Sequence, residues 1–150
     1  MTNLFEVLDP SIGRDIDGEG LVRELLDADL PDTGYPKVTV ASEIGVNVNE
    51  LADGIMLVYT VGPSTNIGYG RFRFPVGLDV LCSDPDMGAA FKAHLYDLVT
   101  RWPFHDATPS GTVNAVLPTG FSRVGPDGWN LARDVHVWSM QDMLVTALRP

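Results

Sequence analysis

Cysteine is almost absent from this chain: Cys82 is the single one in 150 residues. A lone thiol excludes an intramolecular disulfide and any zinc site built from several cysteines, and it fits a reducing compartment. Basic residues are also scarce, 10 Lys and Arg against 20 Asp and Glu, which gives a formal charge of -10. Phosphate backbones and anionic lipid surfaces are met by clustered Lys and Arg, so this balance argues against both as partners. No stretch approaches the ~18 apolar residues of a membrane helix. The start, "MTNLFEVLDPSIG", has neither the basic leader nor the apolar run of a signal peptide. No internal repeat and no low-complexity segment interrupts the chain.

What is present suits one globular domain over residues 1–150. Hydrophobic residues make up 45% of the chain, and a domain of this length buries ~70% of the surface its unfolded form exposes. "DIDGEGLVRELLDADLP" reads as a helix capped by Asp15 or Asp17, with Leu21, Val22, Leu25 and Leu26 on one face. "YPKVTVASEIG" reads as a short strand. "DGIMLVYTVGP" follows with an unbroken apolar run, the pattern of a strand buried on both faces. "YGRFRFPVGLDVLCSD" alternates as a third strand, and Pro75 with Gly77 predicts a bulge or bend. Residues 63 to 70, "PSTNIGYG", predict a mobile connecting loop between the last two.

"DPDMGAAFKAHLYDLVTRW" is a helix with Asp84 as N-cap, Pro85 at its first position and Pro103 as its stop. "GTVNAVLPTGFSRVG" and "WNLARDVHVWSMQDMLVTAL" read as two closing strands joined by the turn at 125–128. The pattern predicts an α+β fold, a mostly antiparallel sheet of about five strands packed against two helices. No glycine-rich phosphate loop links a strand to a helix, so a nucleotide-binding α/β fold has no support.

Three histidines, with no paired spacing, make a poor metal set. His136 stands between Val135 and Val137. If the valines face the core, it points outward with Asp134 and Trp138, ~6.6 Å from its strand neighbours on that face and too far for a direct Asp–His bond. Asp15, Asp17 and Glu19 alternate as calcium ligands do. Counted from Asp15, however, the twelfth position is Leu26, where a calcium loop needs a bidentate Glu; helix capping accounts for these acids. His94 reads as a core or boundary residue of the second helix and His105 as a loop residue. Cys82 reads as a small apolar filler, although a small hydrolase using His136 or Cys82 stays open as an alternative of another class. Trp129, His136 and Trp138 form a candidate interface. Trp102, Phe72 and Phe74 extend it, or else belong to the core.

The order of elements resembles the tail terminator proteins of long-tailed bacteriophages and their relatives at the head–tail junction. The acidic helix "GEGLVRELLDADLP", the strands "GIMLVYTVGP" and "RFRFPVGLDVLC", the helix "AAFKAHLYDLVTRW" and the closing strand pair carry the resemblance. It implies a virion protein of the tail that assembles with itself into a ring, commonly a hexamer. Such a ring ends tail tube polymerisation and joins the tube protein to the head connector. DNA passes through it without specific binding, and the family brings no catalytic residue, metal or cofactor. Another connector or minor tail protein is the near alternative. The resemblance places Ser64, Thr65, Asn66, Ile67, Gly68, Tyr69 and Arg71 as the candidate subunit or lumen contact loop.

Overall fold

A computed structural model describes residues 15–30, 38–42, 54–124 and 135–150. It has the expected α+β architecture, two helices on one face of a mostly antiparallel sheet, with seven strands instead of about five. The elements run α1 (Gly18–Asp29), β1 (Val38–Ala41), β2 (Ile55–Val61), β3 (Thr65–Gly68), β4 (Arg71–Cys82), α2 (Pro85–Thr100), β5 (Thr112–Leu117), β6 (Ser122–Val124) and β7 (His136–Leu148). A 3-10 turn, Trp102–Phe104, follows α2.

The two extra strands have local causes. Residues expected as a mobile loop pair with β4, Thr65 opposite Arg73 and Asn66 opposite Phe72, and become β3. The stretch expected as one strand over residues 111–125 is divided into β5 and β6. Pro118 lacks the N–H a ladder requires, and Gly120 lies at φ 82. Both pieces pair with β7. The turn expected at 125–128 lies outside the described residues.

The spatial order is β1-β2-β4-β7-β5, with β3 beside β4 and β6 beside β7. β1 runs parallel to β2; every other pair is antiparallel. No described strand pairs with the outer edge of β1 or of β5. The β1 edge is partly closed, because Arg23 on α1 donates to the Val40 carbonyl at 3.1 Å.

Alternation along β4 sorts its side chains. Phe72, Phe74, Val76, Leu78, Val80 and Cys82 enter the main core beneath the helices. Leu81 joins a second, smaller cluster on the other face with Met56, Val58, Val135 and Val137. β2 supplies both clusters, which is why its sequence has no polar alternation. The expected bulge occurs at Gly77, and its extra residue lies on β7. Val76 faces Met143 and Leu78 faces Met140, so Gln141 and Asp142 oppose Gly77. Asp142 adopts φ 57 there, and the insertion keeps Met140 and Met143 on the same core face.

Asp17 caps α1 by accepting from Gly20 N at 2.9 Å. Leu21, Val22, Leu25 and Leu26 are buried as expected, each contributing about 1.5–3 kcal/mol of apolar transfer. Asp84 caps α2 through the Asp86 and Met87 amides. α2 buries Gly88, Phe91, Leu95 and Val99 and leaves Ala90, Ala93 and Tyr96 exposed.

Candidate functional site

The proposed contact loop is the turn and flank of a hairpin arm. Gly68 pairs with Arg71, which leaves Tyr69 and Gly70 as a two-residue loop at φ 58 and 74. Positive φ at both positions is what a tight type I′ turn requires. Gly70 adopts it freely, but Tyr69 bears the left-handed cost of about 1–2 kcal/mol. The turn is braced on both sides. Asn66 Oδ1 accepts from Gly68 N at 2.8 Å, and Arg149 N donates to the Gly70 carbonyl at 2.9 Å. The phenol ring that this strain positions is 98% exposed.

The other members of the predicted set lie along the same arm. Ser64 donates to the Asp15 carboxylate at its base. Thr65, Asn66, Ile67 and Arg71 are exposed and Gly68 is half-buried. The arm therefore brings the predicted residues together, held on paired backbone instead of on a loose loop.

The second predicted set divides. Trp129 and Asp134 lie outside the described residues. Trp138 is 5% exposed, so the expectation that it faces outward is corrected. A strand facing one core alternates; here Val135 and Val137 enter the minor core while Trp138 enters the main one. The indole lies under α2, where Gly88 leaves room for it, and Arg123 covers it with its guanidinium carbon 5.5 Å from the ring centroid. His136 is half-buried beside it. Arg123 Nη2 contacts His136 Nδ1, and a guanidinium can only donate there. Phe72, Phe74 and Trp102 are also buried, so they belong to the core and not to an interface.

Cys82 and His136 face each other across β4 and β7. The thiol is 1% exposed, and burial pushes its pKa up despite backbone hydrogen bonds from Asp84, Gly88 and Ser83. A protonated, enclosed thiol beside an imidazole already engaged by arginine is a poor nucleophile. Two surface cavities, about 220 and 330 Å³, border Asp15 to Asp17 at the start of α1 and have no histidine or cysteine in their walls. No group of three metal-ligating side chains converges among the described residues. His105 Nε2 lies 3.5 Å from Asp29 at the end of α1.

Two features of the sheet face away from the helices were not legible beforehand. Asp79 is 3% exposed and accepts from the Ser139 hydroxyl, while Gln141 Nε2 donates to Ser139 Oγ at 2.5 Å and reaches Asp79 at 3.4 Å. Burial pushes the Asp79 carboxyl above its ordinary range, and the Ser139 bond offsets part of that. Farther toward the arm, Pro75, Leu144 and Leu117 form one row across β4, β7 and β5. Leu117 is 65% exposed in that row. Period-two reading misses the row because β7 is apolar on both faces at residues 143–145.

Among the described residues no helix is long and apolar enough to cross a membrane. No protein-family model matches the chain, and no curated protein sequence matches it.

Proposed function

We propose that this protein is a structural subunit of a phage-like tail, forming a closed ring at the head-proximal end that stops tube growth and joins tail to head. The observation that carries the reading is Tyr69. A bulky residue is held in a left-handed turn where Asn or Gly would cost less, and its ring is left in solvent at 98% exposure. Strain retained at a surface tip that serves nothing within the fold points to a contact outside it.

Other features support assembly. A ring needs two different, complementary surfaces on each subunit. Here an arm projects at one side, and at the other lies a β5 edge, with exposed Leu117, that no described strand pairs with. The acidic surplus of the chain suits a channel through which DNA slides without being held. The hydrolase alternative finds no support in the enclosure of Cys82 or the engagement of His136.

Native mass spectrometry of the full chain over a range of concentrations tests this. One closed species of fixed stoichiometry, six copies by the family resemblance, is expected. An open ladder of sizes would indicate a tube-forming protein instead, and a monomer at every concentration overturns the reading.

A further inference from the structure

At the arm end, the sheet face turned away from the helices is open and carries positive charge in an acidic chain. Residues 54 to 78 contain no acidic residue, in a chain of net charge -10. Within that stretch Arg71 and Arg73 are exposed, on the strand face opposite the buried Phe72 and Phe74. Next to them lies the row Pro75, Leu144 and Leu117. No described helix covers this area, since both helices contribute to the main core on the other face.

We propose that this open end of the face receives helix α2 of a second copy of the chain, a contact that rests on the ring reading and names its surface. The outward side of α2 carries exposed Asp86, Ala90, Ala93 and Tyr96. The alanines allow a helix to lie close on a sheet, and Asp86 offers the carboxylate that Arg73 lacks within its own subunit's arm. The spacing agrees. Ala90 lies ~6 Å beyond Asp86 along a helix rising ~1.5 Å per residue. Pro75 lies ~6.6 Å beyond Arg73 along a strand rising ~3.3 Å per residue. An aspartate over the arginines therefore sets an alanine over the apolar row.

The two surfaces are on opposite sides of the subunit, because Phe91, Leu95 and Val99 hold the inner side of α2 against its own sheet. The contact is consequently heterologous, the type that closes a ring by rotation. Its charged part is exposed and weakens with salt.

The test uses charge-swapped full-length chains. Arg73→Glu and Asp86→Lys, each alone, are expected to lose the assembled species while retaining the wild-type circular dichroism spectrum. Mixed in equal amounts, they are expected to assemble as an alternating ring, since every contact then pairs opposite charges. Ala90→Arg, at an exposed site, is expected to block assembly by bulk and not to be rescued by mixing with Asp86→Lys. If wild type assembles and Arg73→Glu and Ala90→Arg assemble equally well, this contact is wrong while the ring stands. If the single variants fail and their mixture also fails, the proposed pairing of Arg73 with Asp86 is overturned. A wild-type chain that never assembles removes the ring and this contact together.

Discussion

The indole of Trp138 occupies the space that Gly88 leaves by having no side chain: a Cβ built there would lie 2.2 Å from Cζ3 and 2.6 Å from Cη2 of the ring. α2 approaches β7 this closely because the helix is smooth at that point.

Gly88→Ala is therefore expected to destabilise the fold. In an open helix interior the same change stabilises by up to about 1 kcal/mol. Here overpacking against a rigid ring costs roughly 1–3 kcal/mol. A urea unfolding midpoint below that of wild type bears this out; an increase would show that the indole can move aside.

Asp79 makes the opposite sign available. Its carboxyl is raised by burial, so the protonated form is favoured in the folded state. Its contribution is fully present below the ordinary carboxylate range of about 3.9 and is lost as pH rises through the raised value. Asp79→Asn keeps an acceptor for Ser139 and removes the charge. It is expected to be more stable than wild type at pH 7, with the difference shrinking on acidification. Thermal melts at pH 7 and pH 4 decide it: a variant advantage that grows toward acid contradicts the assignment.

Glu24 behaves in the reverse sense. Burial pushes its carboxyl up, but hydrogen bonds from Thr108 and Ser110 outweigh this and leave it lowered. Ser110 Oγ donates at 2.7 Å and Ser110 N at 3.1 Å. The stabilisation holds above the ordinary glutamate range of about 4.3 and fades as pH falls through the lowered value. Glu24→Ala is expected to cost about 1 kcal/mol at pH 7, and the cost should shrink between pH 7 and pH 3. A penalty unchanged between the two would assign Glu24 a purely apolar packing role.

Tyr69→Asn separates fold from assembly. Asn tolerates the left-handed turn better, so the isolated subunit is expected to gain about 0.5–1 kcal/mol. Assembly, read by light scattering, is expected to weaken. Assembly at wild-type strength would leave the strained tyrosine without the role proposed for it.

Legibility in the sequence followed how local each signal was. The caps at Asp17 and Asp84, the apolar face of α1 and the both-sides burial of β2 are written within a few residues, and each occurs where it was expected. The bulge was legible from Pro75 and Gly77, but its extra residue on β7 was not, because it depends on which strand pairs with which. Trp138 was misplaced for a related reason. Valines on both sides of it suggest a single core, whereas this end of the sheet has one on each face. The arm and the row Pro75, Leu144 and Leu117 arise from register across three strands, information that no single segment carries.

Arg23 laid on the Val40 carbonyl makes the two borders of the sheet unequal. An added strand would meet one acceptor already taken at β1, whereas no described strand lies along β5, so the two margins of the sheet invite different neighbours.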